Sequence, residues 1–297
     1  MRTFSALVKR NVKMFFKDKG MFFTSLITPI ILLVLYATFL ARIYRDSFVS
    51  ALPDGLAIDE KLISATVGGQ LMSSLLAVSC VTVSFCANLL SVQDRVSGAR
   101  KDMLVTPVRR STIAGAYYVG TLATTVIVSL VATAACFVYL AINGWYLSFG
   151  DVALIILDVV ILTMFGTALA SVVNAFLTSN GQASAVGTIV SAGYGFICGA
   201  YMPISQFGGA LGNVMMFLPG TYGTSLIRNH CLGGVYREMS SIGFPSGVVE
   251  GIKDSVDCNI YFFGSSVPIG AMYAVTLGAV VVLVGAYVLI NVLKKRA

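Results

Sequence analysis

The chain has 297 residues, of which 57% are hydrophobic and only 11% are charged, and its mean hydropathy is +0.87. Because a soluble domain carries about 25% charged residues, this composition excludes an ordinary water-soluble fold and indicates a protein that faces a lipid bilayer. The net charge is +7, but the basic residues lie in predicted loops and form no continuous basic face, so nucleic-acid binding is not expected.

The N-terminal segment has the pattern of an amphipathic helix. Between Arg2 and Lys19 the apolar residues recur on one helical face, and the lysines and arginines fall on the other. This pattern is typical of a helix that lies in the membrane interface, which we expect over residues 1–19. A basic leader that simply precedes the first span is the alternative. The segment has no apolar core or cleavage site of a secretory signal, so we expect the first apolar run to be retained.

Six segments are apolar enough to cross the bilayer, for which a helix needs about 20 residues. The sequence therefore predicts an all-α integral membrane protein with six transmembrane helices, arranged as a single transmembrane domain over residues 1–297. The predicted spans are approximately Met21–Ala41, Val67–Val92, Ala114–Ile142, Val152–Leu177, Ala183–Ala200 and Val267–Leu293.

The basic residues are distributed unequally between the two sides of these spans. Fourteen lysines and arginines lie in the N-terminal segment, the loop after the second span and the C-terminal tail, and six lie in the remaining connections. Because cytoplasmic loops collect lysine and arginine, both termini are predicted to be cytoplasmic. An even number of spans agrees with this orientation.

The loop over residues 93–112, after the second span, is the most informative stretch of the sequence. Gly98 can end one helix, and Pro107 can stop a short helix that follows it. The sequence therefore predicts a short charged helix between two spans on the cytoplasmic side, where it could transmit force from a soluble partner. A generic basic loop with no such role is the alternative.

Asp158 lies within the fourth predicted span. A carboxylate near the bilayer centre costs at least about 2.5 to 3.5 kcal/mol on insertion scales, so its environment must compensate for it. Two interpretations remain open. Asp158 is either a residue of the substrate pathway or a residue near the outer interface that water or a neighbouring hydroxyl satisfies.

Residues 203–266, between the fifth and sixth spans, are predicted to form a re-entrant element and an extracellular loop. Prolines and glycines divide the apolar sequence up to Ile227 into pieces too short to cross, which favours a re-entrant helix pair. The polar part, from Asn229 to Ser266, is predicted to lie outside. Its two cysteines, Cys231 and Cys258, would then face an oxidising compartment and form a disulfide, with two free thiols as the alternative.

The sequence carries no signature of an enzyme. It has no Gly-x-x-x-x-Gly-Lys-Ser/Thr loop for ATP. Its single histidine, His230, falls in the predicted outer loop, where we expect a surface or interface residue, and one histidine cannot build a metal site. We therefore predict a protein that is not an enzyme, binds no cofactor and has no ATPase site of its own.

Three segments resemble the type-2 ATP-binding-cassette (ABC) permeases. The loop after the second span is similar to the family pattern Glu-Arg-x-x-Gly-Thr-Leu-Glu-x-Leu-Leu-x-Thr-Pro, although Asp94 replaces Glu, Ala99 replaces Thr, Arg100 and Lys101 replace Leu-Glu, and Met103 replaces Leu. Residues 199–203 resemble Gly-x-x-Phe-Pro, and residues 218–228 resemble Asn-Pro-x-x-Tyr-x-x-x-x-x-Arg. The matching positions of the loop are Asp94, Arg95, Gly98, Leu104, Thr106 and Pro107.

The resemblance implies the permease subunit of a bacterial exporter in the plasma membrane, surrounded by membrane lipids. It would move an amphipathic, lipid-like, peptide or drug substrate outward, using ATP and Mg²⁺ bound by a separate ABC ATPase subunit, and it would pair with a second permease as a homo- or heterodimer. An ATP-independent secondary transporter or channel is the alternative, although that class usually places several ionisable groups along its spans. The resemblance assigns coupling to the ATPase to Asp94, Arg95, Gly98, Leu104 and Pro107, with Leu104 as the apolar side chain that enters the partner.

Overall fold

The computed structural model describes residues 2–50 and 59–293, and within these ranges it consists of helices joined by short connections, with one two-stranded hairpin. The predicted basic tail, Lys294 to Arg296, lies outside the described residues. The helices are α1 (Arg2–Lys17), α2 (Lys19–Leu35), a π-helical turn (Tyr36–Leu40), α3 (Ala41–Ser50), α4 (Glu60–Val96), α5 (Ala99–Val105), α6 (Arg110–Asn143), α7 (Phe149–Asn174), α8 (Asn180–Ile197), a 3₁₀ turn (Ile204–Gln206), α9 (Gly209–Met215), α10 (Pro219–Ser241), α11 (Ser246–Ser255) and α12 (Ile269–Leu293), and the strands are β1 (Tyr261–Phe262) and β2 (Ser265–Ser266).

The amphipathic N-terminal segment forms the separate helix α1, which is bent by 74° from α2. Asp18 lies between the two helices and caps α2, because its side chain accepts a hydrogen bond from the N–H of Met21. Asn11 is buried against α6 and donates to the carbonyl oxygen of Ala116. α1 is therefore fixed to the helix bundle and is not simply a leader for the first span.

α4 forms the centre of the bundle, and nearly all of its length is buried between α2, α6, α7, α8 and α10. Glycines let the neighbouring helices approach closely. A β-carbon at Gly69 would lie 2.7 Å from Leu232 of α10, and one at Gly166 of α7 would lie 2.9 Å from the backbone of Val81. Small residues at helix contacts are the usual way in which membrane helices pack, because lipid provides no hydrophobic driving force between them.

Among the described residues, four helices are individually long and apolar enough to cross a membrane, namely α4, α6, α7 and α12, and the bent α1–α2 pair would raise the number to five. The chain is thus an all-α, multi-pass membrane protein, as predicted. The remaining two predicted spans are less regular than expected. The first becomes α2 followed by a π-helical turn, and the fifth becomes the 18-residue α8, whose first turn contains the polar Asn180 and Gln182.

The segment between α8 and α12 departs from the predicted boundary at residue 229. Residues 219–241 form one continuous helix, α10, which packs on α4, α7 and α12 and is buried for most of its length. The Pro219-Gly220 pair was interpreted as an interruption, but it begins this helix. Proline is well tolerated in a first helical turn, where its missing N–H group needs no partner. The polar stretch after Asn229 is therefore largely helix, and the short hairpin and α11 form the rest of it.

Candidate functional site: the short helix α5 and the buried polar clusters

α5 is the short helix predicted between Gly98 and Pro107. Gly98 adopts a left-handed conformation (φ +89°), and its carbonyl oxygen accepts hydrogen bonds from Lys101 and Asp102 at the start of α5. A β-carbon at Gly98 would meet no atom within 4 Å, so the backbone conformation, and not space, favours glycine here. Thr106 is extended, as the residue before a proline prefers, and this ends the helix.

Val105 is more exposed than Leu104, the apolar side chain of α5 that was predicted to enter the partner. Leu104 is half-buried, whereas Val105 is 84% exposed. The basic residues Lys101 and Arg109 are exposed as well. The acidic residue Asp102 is also exposed, so the free surface of this loop combines one projecting apolar side chain with charges of both signs.

Asp94 is buried and joins three helices. Its carboxylate accepts hydrogen bonds from both terminal nitrogens of Arg10 on α1, one of them at 2.9 Å, and from the hydroxyl of Tyr117 on α6 at 2.6 Å. The hydrogen bond to Asp94 raises the pKa of Arg10, which stays charged. The motif residue Asp94 is therefore directed into the bundle, where it fixes α1 and α6 to the end of α4.

Arg95 and Arg100 connect the same loop to two further helices. Nη1 of Arg95 donates to the carbonyl oxygens of Asn174, Ala175 and Leu177 and so caps the C-terminal end of α7. Nη2 of Arg100 donates to Oδ1 of Asn291 on α12 at 2.6 Å. Sequence reasoning assigned a role to Arg95 but treated Arg10 and Arg100 only as orientation signals, and it had no signal that would pair them with Asp94 and Asn291.

Asp158 belongs to a second buried cluster. It is 2% exposed, and its carboxylate accepts hydrogen bonds from Nδ1 of His230 on α10 and from the hydroxyl of Tyr273 on α12, both at 2.5 Å. A neighbouring hydroxyl and a histidine thus satisfy this carboxylate. The prediction of a surface or interface role for His230 is wrong, because its side chain is 11% exposed and turned toward α7.

The predicted disulfide between Cys231 and Cys258 is not formed, and both residues are buried free thiols. Cys231 lies inside α10, where its backbone faces Gly69 of α4. The thiol of Cys258 lies 3.3 Å from the hydroxyl of Tyr236. The prediction depended on an exposed outer loop, and continuous helix replaces that loop at Cys231.

Arg228 closes the C-terminal end of α8. It is 1% exposed, and it donates to the carbonyl oxygens of Gly199 at 2.8 Å and Val256 at 2.6 Å. The carboxylate of Asp257 lies 3.6 Å from the guanidinium and also accepts from the N–H of Ile204 at 2.7 Å. One buried arginine therefore connects α8, α10 and the segment after α11, which explains physically why a motif of this chain ends on Arg228.

A cavity of about 360 Å³ lies beside this cluster, between α3, α4, α11 and the residues that follow α8. Its lining mixes apolar groups with the polar side chains of Tyr44, Gln70 and Tyr201. Oε1 of Gln70 is buried and has no hydrogen-bond partner among the described residues. No three His, Cys, Asp or Glu side chains within residues 2–50 and 59–293 are arranged to hold a metal ion.

This arrangement defines a multi-pass helical membrane protein whose short extramembrane helix is connected by polar contacts to the ends of several long helices. The chain matches the family model of the ABC-2 type transporter over residues 2–231, and it therefore belongs to the ABC-2 type transporter family. It is the membrane domain of an ABC transporter, a transport subunit that is not itself catalytic. No curated protein matches the chain.

Proposed function

We propose that this chain is the permease subunit of an ATP-driven exporter, in which α5 transmits the movement of a separate ATPase subunit to the membrane helices. The observation that carries the proposal is the set of hydrogen bonds around α5. They join the last turn of α4, directly before α5, to α1, α6 and α7, and α5 itself to α12. A displacement of α5 would therefore act on α12 directly and on the other three helices through the end of α4.

The exposed face of α5 supports a specific mode of docking. Val105 would enter an apolar pocket of the ATPase in place of Leu104, because Val105 projects fully from the helix. Lys101 and Arg109 flank it and would face acidic residues of the partner. Pro107 ends α5 and keeps this face separate from α6. ATP and Mg²⁺ would bind to the ATPase, and closure of the ATPase pair would push α5 and change the side from which the membrane cavity is accessible.

The membrane organisation of the proposal is six spans with both termini cytoplasmic, in a bacterial plasma membrane. α2 with its π-helical turn and α8 would provide the two spans beyond α4, α6, α7 and α12. The hairpin of α9 and α10 would be re-entrant, shielded by α4, α7 and α12. A second permease would cover the exposed apolar face of α2, on which side chains recur at helical spacing. This face contains Phe23, Ile27, Ile30, Ile31 and Val34.

The proposed cargo is amphipathic, of the lipid-like, peptide or drug kind. The cavity beside Gln70 supports this class, since its lining combines apolar side chains with a glutamine and two tyrosines. Small inorganic ions would instead require several converging charges. A pathway residue was one of the two interpretations of Asp158 from the sequence. Its carboxylate is occupied by His230 and Tyr273, whereas the mixed cavity offers open space, so we place the cargo in the cavity.

The test is affinity purification of the tagged chain from its native membrane, followed by identification of ABC ATPase chains in the eluate and measurement of ATP hydrolysis. Val105→Asp should lower recovery of the ATPase by about tenfold or more, since burying such a side chain contributes about 1.5 to 3 kcal/mol. Leu293→Asp is the matched control, because Leu293 is also exposed (70%) but lies at the end of α12. Equal recovery with both variants would contradict docking through α5.

The cluster of Asp158, His230 and Tyr273 favours a second candidate, an ATP-independent transporter coupled to protons. Buried ionisable groups in membrane helices often mark proton pathways. Transport by proteoliposomes that contain this chain alone, driven by a pH gradient and abolished by Asp158→Asn, would support this candidate. Transport that requires ATP and the ATPase, and that survives Asp158→Asn, would exclude it.

A further inference from the structure

The hairpin of β1 and β2 carries an exposed aromatic surface. Phe262 pairs with Ser265, so the loop of the hairpin consists of Phe263 and Gly264. The ring of Phe263 is 65% exposed and lies edge-on to the ring of Phe217, which is 64% exposed and comes from the connection between α9 and α10. Phe262 contacts both rings and packs on the buried core beside them. We call Phe217, Phe262 and Phe263 the aromatic tip.

The backbone at the aromatic tip is unusual. Phe263 and Gly264 both have a positive φ, of +47° and +84°. Two-residue hairpin loops of this kind favour asparagine followed by glycine, because a bulky side chain is strained at positive φ. Asp257 is the other non-glycine residue with positive φ among the described residues, and its buried contacts with Ile204 and Arg228 account for it. The ring of Phe263 stays mostly open, so burial within the chain does not offset its strain, and such outliers often mark a functional contact.

The aromatic tip belongs to sequence that carries no charge. Between Asp158 and Arg228, and again between Asp257 and Lys294, there is no aspartate, glutamate, lysine or arginine. The second uncharged stretch therefore begins well before α12, which starts at Ile269. The charged residues of the segment between α8 and α12 all lie from Arg228 to Asp257. A loop in water has no reason to exclude charge while it exposes phenylalanines, whereas a segment that contacts lipid does.

Tyr261 shows which side of the hairpin is polar. Its ring is 45% exposed, and its hydroxyl donates a hydrogen bond to the exposed Asp254 of α11 at 2.9 Å. Tyrosines at a membrane interface adopt this arrangement, with the ring at headgroup level and the hydroxyl on the polar side. α12 begins only two residues after the hairpin, and its first residue, Ile269, is 44% exposed. The aromatic tip is therefore continuous with the lipid-facing surface of a membrane span.

We propose that the aromatic tip inserts into the bilayer leaflet remote from α5, at the boundary between headgroups and acyl chains, and anchors the start of α12 there. The last part of the segment predicted to be extracellular would thus lie in lipid. A second permease is a weaker candidate for the occupant of this surface. α2, whose exposed face we assigned to that partner, packs chiefly on α4 and α1, whereas α12 packs chiefly on α7, α10 and α6. The inference does not depend on ATP-driven export.

The experiment measures tryptophan fluorescence of the full-length chain in phosphatidylcholine nanodiscs. Trp145 is the single tryptophan of the sequence, so Trp145→Phe provides a background without tryptophan, in which Phe263→Trp places one reporter at the tip. Lipids brominated on the acyl chain quench a reporter that touches lipid, and acrylamide quenches one that faces water. Brominated lipid should remove most of the emission from position 263, and bromine near the headgroup end of the chain should quench it more than bromine near the chain end.

Two other exposed apolar positions serve as matched controls in the same background. Ile242→Trp lies at the end of α10, where Ile242 is 51% exposed within the charged part of the segment, and it should be quenched by acrylamide but little by lipid. Val281→Trp lies about 18 Å along α12, where Val281 is 72% exposed, and it should be quenched most by bromine near the chain end. If position 263 behaves like position 242, the proposal is overturned. Protection of position 263 from both quenchers would show that protein covers the tip and would also overturn it.

Phe217→Trp is an independent reporter that leaves the hairpin loop unchanged. Because the rings of Phe217 and Phe263 are in contact, with centroids 6.1 Å apart, position 217 should also be quenched by brominated lipid. Quenching of this reporter by acrylamide alone would overturn the proposal even if Phe263→Trp failed to fold. All reporters are measured on the chain without an ATPase, so a failure of the proposed export function would leave these results unchanged.

Discussion

The contact between Arg10 and Asp94 provides the sharpest test of how α1 is held to the bundle. The Asp94 side chain is 6% exposed and the Arg10 side chain is 31% exposed. Loss of one partner from a buried ion pair costs about 3 to 5 kcal/mol, and exposed pairs contribute about 0 to 1 kcal/mol. The Arg10–Asp94 pair is partly buried and so lies between these two cases. After the loss of Arg10, the hydroxyl of Tyr117 would still donate a hydrogen bond to Asp94. We therefore expect Arg10→Met to cost about 2 kcal/mol.

The measurements are the melting temperature of the purified protein and the rate at which trypsin cleaves within α1. A cost of about 2 kcal/mol corresponds to roughly 4 to 8 °C for a chain of this size class, and release of α1 should speed cleavage at Lys9 and Lys13. Lys9→Met is the matched control for the melting temperature, since it removes the same charge from an exposed neighbouring position.

A double-mutant cycle isolates the pair from the other effects of each substitution. Arg10→Met combined with Asp94→Asn should show a coupling energy of at least about 1 kcal/mol, as expected for residues in direct contact. A coupling energy near zero, or equal melting temperatures for Arg10→Met and Lys9→Met, would refute the view that Asp94 fixes α1.

Three further predictions follow from backbone geometry and burial. Gly98→Asn should preserve ATP-linked transport because asparagine tolerates φ +89°, whereas Gly98→Val should uncouple ATP hydrolysis from transport, as measured in proteoliposomes. Gly234→Ala should lower the melting temperature strongly, because the added β-carbon would lie 2.0 Å from a carbonyl oxygen. Gly233→Ala should lower it less, because the atom nearest to its added β-carbon would be 3.3 Å away. Cys231 and Cys258 should resist maleimide in the native protein and react fully after denaturation without reductant. A mass of the unreduced protein 2 Da below the value for two free thiols would indicate a disulfide and contradict this prediction.

Local sequence signals were sufficient to predict the elements whose ends are set by the backbone preferences of single residues. Gly98 and Pro107 bound α5 because a left-handed glycine and a proline impose their conformations without help from distant residues. The apolar runs of α4, α6, α7 and α12 were equally clear, because the bilayer requires long apolar helices.

Signals that depend on the tertiary environment were misleading. α10 contains a proline, several glycines and polar residues, which together resemble broken loop sequence. In the folded chain these glycines permit close packing, and the polar side chain of His230 meets Asp158 inside the bundle. A single sequence contains no information on that pairing, since the two residues lie on different helices 72 positions apart. For the same reason, the sequence alone could not predict that Arg10 is the partner of Asp94.

α12 is held at both ends by polar contacts, which suggests how motion of α5 could reach the opposite end of the bundle. Near its C-terminal end Asn291 accepts from Arg100, and near its start Tyr273 donates to Asp158. These positions are 18 residues apart, or about 27 Å along a helix. A rigid helix with a contact at each end would carry a displacement of α5 to the Asp158 cluster.

The connection at Asn291 can be broken or preserved by single substitutions. Asn291→Leu removes the acceptor of Arg100, so it should leave recovery of the ATPase unchanged but reduce ATP-linked transport by several-fold. Asn291→Asp keeps an acceptor and adds a charge opposite Arg100, and it should retain transport. Both variants are measured in proteoliposomes that contain the complete transporter. Aspartate can accept from Arg100 and leucine cannot. Equal transport by the two variants would therefore show that α12 moves without this contact, and the path from α5 would then have to run through Arg95 and α7.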